Sequence, residues 1–192
     1  MNEYRIDKQG LWNILEQWDK YIPGKIRLVA CGGTALTLQD LKESTKDVDF
    51  LVPEENEYRI LIQAIKRLGY RQSAGSGWAR DDGFKFDLFA GKKVFTTELL
   101  ESPLEEKNHI LIRALRKLYV ATLNDYDLAI SKLFRGDGAD IQDCLILVQA
   151  RGKKFDLEEF KARYRETAKY EINEKRMLNN LEGFLSSLFE KK

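Results

Sequence analysis

Histidine is all but missing from this chain: His109 is the only one in 192 residues, alongside two cysteines and three prolines. A Ser-His or Cys-His catalytic pair would have to use His109, but its neighbours Asn108 and Ile110 form no familiar arrangement, so a surface or strand-edge role is expected. Cys31 and Cys144 lie far apart with no Cys or His at metal-ligand spacing. That excludes a zinc cluster and reads as two reduced thiols of a cytoplasmic protein. No run of about 18 uncharged apolar residues occurs, behind Asn2-Glu3-Tyr4-Arg5 or elsewhere, so neither export nor membrane spanning is expected. An excess of one charge is lacking as well: 32 Lys plus Arg face 31 Asp plus Glu, a formal +1. There is no general attraction to nucleic acid or membrane, and the basic run Arg113, Arg116, Lys117 reads as a solvated face. What is present is 43% apolar residues, enough for one compact unit with a helical second lobe.

The chain opens on a helical stripe, Leu11, Ile14, Leu15, Trp18 and Ile22, stopped by Pro23-Gly24. Residues 25–30 read as a strand leading into Gly32-Gly33, and 34–41 as the helix after it. A second strand is expected over 47–52, ended by Pro53. A helix follows over 54–68, with Leu61, Ile65 and Leu68 on one face and Gly69 as its stop. Residues 72–83 read as a loop or hairpin, 84–89 as an aromatic strand, and 118–123 as a final strand. Asn124 or Asp125 then caps a helix with Ala129, Ile130, Leu133 and Phe134 on one face. Beyond it, one helical stripe holds Leu157, Phe160 and Tyr164, and another Leu178, Leu181, Leu185 and Leu188. The order predicts an α/β (α+β) fold: a mixed sheet flanked by helices over residues 1–124, then a C-terminal helical bundle over 125–192 packed against it.

Chemistry concentrates near the start. In a strand, residues i and i+2 share a face roughly 7 Å apart, so Asp47 and Asp49 would present two repelling charges side by side. A divalent cation removes that penalty, and Mg²⁺ binds one or two carboxylates together with phosphate oxygens. Asp87, on the polar side of the aromatic strand, would add a third carboxylate if the strands are neighbours. Three such groups can hold two metals about 4 Å apart, the clamp used in phosphoryl and nucleotidyl transfer. Gly32 and Gly33 let backbone N–H groups approach a phosphate at a helix start, and Thr34 adds a hydroxyl. A Gly-Gly pair is ordinarily a plain turn, and Asp-x-Asp ordinarily a solvated edge. Together, and in this order, they favour the functional reading.

Gly32-Gly33-Thr34-Ala35, Thr45-Lys46-Asp47-Val48-Asp49 and Phe86-Asp87-Leu88 closely resemble the signature of the DNA polymerase β-like nucleotidyltransferase superfamily. They are most similar to its minimal prokaryotic members, including nucleotidyltransferase toxins of toxin-antitoxin and abortive-infection systems. The resemblance extends through Asp127-Leu128-Ala129-Ile130-Ser131-Lys132-Leu133 and Asp140-Ile141-Gln142-Asp143, covering about residues 26–150. It implies that Asp47 and Asp49 bind the metals holding a triphosphate, and that Asp87 completes the second metal site and helps deprotonate the acceptor hydroxyl. It also implies that Gly33 and Thr34 touch the β- and γ-phosphates, with Gly32 beside them. Lys132 resembles a lysine that some members place on the triphosphate; the alternative is a solvated helix lysine. Where many members have Gly-Ser, this chain has Gly-Thr, keeping the hydroxyl and adding a methyl group. The implied reaction moves an NMP from an NTP, with two Mg²⁺ ions, to a hydroxyl on RNA, protein or a small molecule.

Two other readings stand beside it. One is a catalytically silent nucleotide-binding or partner-binding module with a cognate antitoxin-like protein. The other takes Asp47-Val48-Asp49 as the metal motif of a nucleotide-sugar glycosyltransferase, but fewer than fifty residues precede the motif, too few for the usual nucleotide-binding portion. Arg135 and Arg151 either contact phosphate near Lys132 or pair with Asp137, Asp140 or Asp143. Trp12 and Trp18 are expected in the core, whereas Trp78, in the polar 72–83 segment, is the aromatic placed to meet a nucleobase.

Overall fold

The computed structural model describes residues 5–81 and 84–190. After a short strand β1 (Ile6–Asp7), helix α1 (Lys8–Tyr21) starts where the Asp7 carboxylate accepts from the Gly10 N–H, a side-chain N-cap. Then come β2 (Ile26–Ala30), α2 (Gly32–Leu38), β3 (Ser44–Thr45), β4 (Asp49–Val52) and α3 (Glu55–Arg67). The middle of the chain is strand-rich: β5 (Arg71–Gln72), β6 (Gly77–Ala79), β7 (Lys85–Ala90), β8 (Lys93–Val94), β9 (Thr97–Glu98), β10 (His109–Ala114) and β11 (Leu118–Leu123). Four helices close it: α4 (Asp125–Arg135), α5 (Gly138–Arg151), α6 (Leu157–Ala168) and α7 (Glu174–Glu190).

Among the described residues, seven strands form one mixed sheet in the order β10-β11-β2-β4-β7-β6-β5. β11 runs parallel to β2, β2 antiparallel to β4, and β4 parallel to β7. The central strand β4 is buried at every position, which explains its continuous apolar run after Asp49. Alternation along β7 sorts its side chains onto two faces. Phe86 points into an aromatic cluster with Trp18 and Tyr70, at ring separations of 4.9 and 5.0 Å, while Asp87 and Phe89 face the other way. α1 and α3 form one helical layer, and α2 and α4 another. Against α4 pack α5, α6 and α7, around Phe134, Phe160, Tyr164, Leu181 and Phe184.

Several boundaries differ from expectation. α2 starts at Gly32 and is only seven residues long, and β4 starts at Asp49, leaving Asp47 in a bend before the strand. The 72–83 segment forms the β5–β6 hairpin, with residues 82 and 83 outside the described part. Trp78 is in β6, 2% exposed; its cross-strand partner is Phe86, so it is a core residue and not a base platform. β10 had no signal in the sequence because it is a half-exposed edge strand, and a register shift between Leu111 and Arg113 breaks its alternation, as a bulge does. His109 sits at its start, bonded to the Tyr119 hydroxyl (2.9 Å) and the Glu105 carbonyl (3.1 Å). Both cysteines are buried free thiols.

Candidate active site

The glycine pair and the first carboxylates meet because β2 and β4 are antiparallel neighbours. The turn leaving Ala30 therefore lies beside the start of β4, and the Cys31 N–H donates to the Asp49 carbonyl at 3.1 Å. Gly32 has φ +57°, and a Cβ there would come well inside 3.0 Å of Asp49 Oδ2; a Cβ on Gly33 would come equally close to Thr45 Oγ1. Glycine suits both positions because a carboxylate and a hydroxyl press against the backbone, and at Gly32 the positive φ favours it as well.

Thr34 takes a different part from the one expected. Its buried hydroxyl donates to the Asp47 carbonyl (3.1 Å) and accepts from the Asp49 N–H (2.9 Å), and Thr45 Oγ1 donates to the same Asp47 carbonyl at 2.8 Å. The two threonines pin the peptide around Val48 and so aim the flanking aspartates. The Thr34 hydroxyl is thus committed to the backbone, at the start of a helix too short for much dipole.

Asp49 is 3% exposed, and its Oδ1 has no hydrogen-bond partner. Burial, then the nearby charges of Asp87 and Asp47, push its carboxyl up to about 7 against a partial offset from Arg135 and Lys132, the pattern of a desolvated acid among like charges. Asp87 stands opposite Asp49 in the parallel β4–β7 ladder and accepts from the Ser76 hydroxyl at 2.6 Å. Asp47 is exposed at the rim. Among the described residues no three acidic, His or Cys side chains close on a single point, so the three aspartates do not form a ready-made cage. The donor set nevertheless suits a hard cation: a buried orphan oxygen flanked by two more carboxylates.

Across a cleft of about 240 Å³, lined in part by Gly33, Asp47 and Asp49, stand the cations Lys42, Lys132 and Arg135. Lys132 is 2% exposed and bonded to Asp143 (2.7 Å) and more loosely to Asp140 (3.4 Å); it is ion-paired, not solvated. Arg135 grips Asp140 through Nε (3.0 Å) and Nη2 (2.6 Å), and Lys42 reaches Asp143 at 2.8 Å. Lys42 carried no sequence signal beyond its place after the glycine helix. Arg151 instead pairs with Asp125 at 2.7 Å, Arg113 with Glu16 at 3.1 Å, and neither lines this cleft. A larger, mainly apolar hollow of about 410 Å³ lies at the opposite end of β2 and β11, bordered by Lys25, Arg27 and Tyr119, away from the aspartates.

The signature of the family described as "Nucleotidyltransferase of unknown function (DUF6036)" matches residues 9–192. The chain belongs to this nucleotidyltransferase family. Its fold is similar to that of ANT(2'')-Ia in complex with adenylyl-2''-tobramycin, with 14% identity, a TM-score of 0.57, and coverage of 83% of this chain and 97% of that one. The solution structure of the antibiotic-resistance factor ANT(2'')-Ia gives the same score and identity, covering 83% and 91%. JHP933 from Helicobacter pylori is similar at 14% identity and a TM-score of 0.46, covering 96% and 94%. No curated protein matches the sequence. Among the described residues of this nucleotidyltransferase, no helix is long and apolar enough to cross a membrane.

Proposed function

We propose that this nucleotidyltransferase uses Mg²⁺ and transfers an NMP from an NTP to an acceptor hydroxyl, with residues 1–124 as the catalytic half and the 125–192 helices closing the cleft. The observation that carries the reading is Asp49: a buried carboxylate with an unpartnered oxygen, opposite Asp87, near Asp47, and tight against the positive-φ Gly32. Evolution tolerates so costly a group where a ligand offsets it. Asp47, Asp49 and Asp87 would hold Mg²⁺, which when bound supplies charge neutralisation for the phosphate oxygens. Gly33 offers its backbone to the phosphates. Asp87, with one oxygen taken by Ser76, keeps the other for the proton of the incoming hydroxyl. The acceptor oxygen bonds to the α-phosphorus as the bond to the bridging oxygen breaks, and pyrophosphate leaves.

The adenylylated tobramycin in the ANT(2'')-Ia complex makes small hydroxylated molecules the first acceptor class to test, ahead of RNA and protein. The complete set of three aspartates argues against a silent module. Incubation with each α-labelled NTP, Mg²⁺ and pools of small polyols, RNA or cell extract should move label into one pool and release pyrophosphate. Asp49→Asn should abolish transfer while staying folded. If the folded wild type binds no Mg–NTP and labels no pool, the reading is wrong.

A further inference from the structure

Among the described residues, two that are not glycine have positive φ: Asp40 at 61° and Phe95 at 54°. Aspartate tolerates that conformation, but a phenylalanine there is strained. Phe95 occupies the first central position of the two-residue turn joining β8 to β9, where Val94 pairs with Thr97. Glycine or asparagine would sit in such a turn without penalty. A strained residue persists where its surroundings demand that side chain.

The surroundings here lead to the cleft. One neighbour of the Phe95 ring is Phe89, edge-on at 4.8 Å, two residues past Asp87 on the same face of β7. A second is the Arg135 guanidinium, 4.0 Å over the ring. Arg135 lies one helical turn after Lys132 on α4 and lines the same cleft. Its Nε and Nη2 edge is taken by Asp140, and Nη1 takes part in neither bond. Ring and carboxylate together fix the plane of the guanidinium, which a flexible side chain could not do alone. Lys132 is sealed at 2% exposure between two carboxylates, whereas the Arg135 side chain is 30% exposed. Arg135 is thus the cation of this pair that a ligand in the cleft can reach.

Resting on the nucleotidyltransferase reading above, we propose that Phe95 is a positioning residue that holds Arg135 at the cleft, and that Arg135 there contacts the phosphate chain of the donor nucleotide. The strain in the β8–β9 turn is retained because the ring must lie beneath the guanidinium.

The test is equilibrium binding, by calorimetry on the intact protein, of the Mg²⁺ complexes of the four NTPs and of inorganic tripolyphosphate. Arg135→Gln should weaken binding about tenfold, and in the same proportion for tripolyphosphate, because the contact is to phosphate and not to base. Phe95→Leu, which keeps bulk and loses the π face, should cost about fivefold, while Phe95→Tyr should bind as the wild type does. Phe95→Asn relieves the strain and removes the ring, so it should hold or raise the melting midpoint while weakening binding; a purely structural role would not separate the two. The Phe95→Leu, Arg135→Gln double variant should bind no more weakly than Arg135→Gln alone. Unchanged affinity in Arg135→Gln, or additive losses in the double variant, overturns the proposal while leaving the nucleotidyltransferase reading standing. If Phe95→Leu fails to fold, the Tyr and Asn variants decide it. A wild type that binds none of the probes overturns both.

Discussion

At the scale of single residues, Asp49 sets stability against its proposed role. Its carboxyl is raised to about 7 by burial and by Asp87 and Asp47. As pH rises from about 4, the unfolded chain gives up this proton before the folded one does, so stability falls through the window from about 4 to 7 and the full cost is present above it. The cost is on the order of a few kcal/mol. Asp49→Asn should therefore flatten the pH dependence of the urea midpoint between pH 5 and 8 in metal-free protein, and at pH 8 be at least as stable as wild type. By the same logic Mg²⁺ should raise the wild-type melting midpoint more at pH 8 than at pH 5.5, since only the charged form binds it tightly. An Asn variant that is less stable at pH 8, with its pH slope intact, would show that the Asp49 carboxylate stabilises the fold and is not a desolvated charge awaiting a cation. That Gly32 stands beside a carboxylate was partly legible, since a glycine pair before Asp-x-Asp invites it. That Thr34 would turn its hydroxyl to the Asp47–Asp49 backbone was not, because hydroxyl direction depends on the strand that comes to lie next to it.

Among the elements, α4 bears the most. Asn124 caps its start and accepts from the Asp127 N–H at 2.7 Å, a cap readable from sequence. Asp127, 2% exposed, is gripped by Arg163 of α6 through two bonds of 2.8 Å each. Asp127→Ala would leave that guanidinium only its longer contacts to Glu101 (3.4 Å) and Asn108 (3.3 Å) and should cost on the order of 2 kcal/mol in chemical unfolding; replacing both residues with apolar ones should recover much of the loss. At the other end Gly136 has φ +74°, and a Cβ there would come inside 3.0 Å of Asn180 Nδ2, which is held by the Leu133 carbonyl at 2.8 Å. Gly136→Ala should lose about 1–2 kcal/mol from the αL penalty alone. An unchanged urea midpoint would mean that the α4–α5 turn adapts freely. The edge strand β10 shows the opposite case: with one side unpaired and its alternation broken by a bulge, its burial pattern has no period for a sequence reading to detect.

For the molecule as a whole, the cleft has Asp47 and Asp49 on its sheet side and, on its helical side, Lys132 and Arg135 paired with Asp140 and Asp143, and the helical side depends on the bundle. α7 buries Met177, Leu181 and Phe184, and the Tyr164 hydroxyl donates to the Met177 carbonyl at 2.7 Å. Removing residues 174–192 should expose that apolar surface, loosen α4 with Lys132 and Arg135, and abolish Mg–NTP binding; dye binding and near-UV circular dichroism would report the loosening. Native-like spectra with undiminished nucleotide affinity would show that the sheet half suffices. The amino-acid sequence by itself determined the fold class and the family, because strand periods, caps, and a glycine pair within twenty residues of Asp-x-Asp are local signals. Only the tertiary structure decided that Trp78 fills the core, that Lys132 is sealed against Asp143, and that a strained Phe95 lies under Arg135. Each of those depends on which distant surface a side chain meets, and burial and ion pairing between such surfaces exist only once the layers have packed.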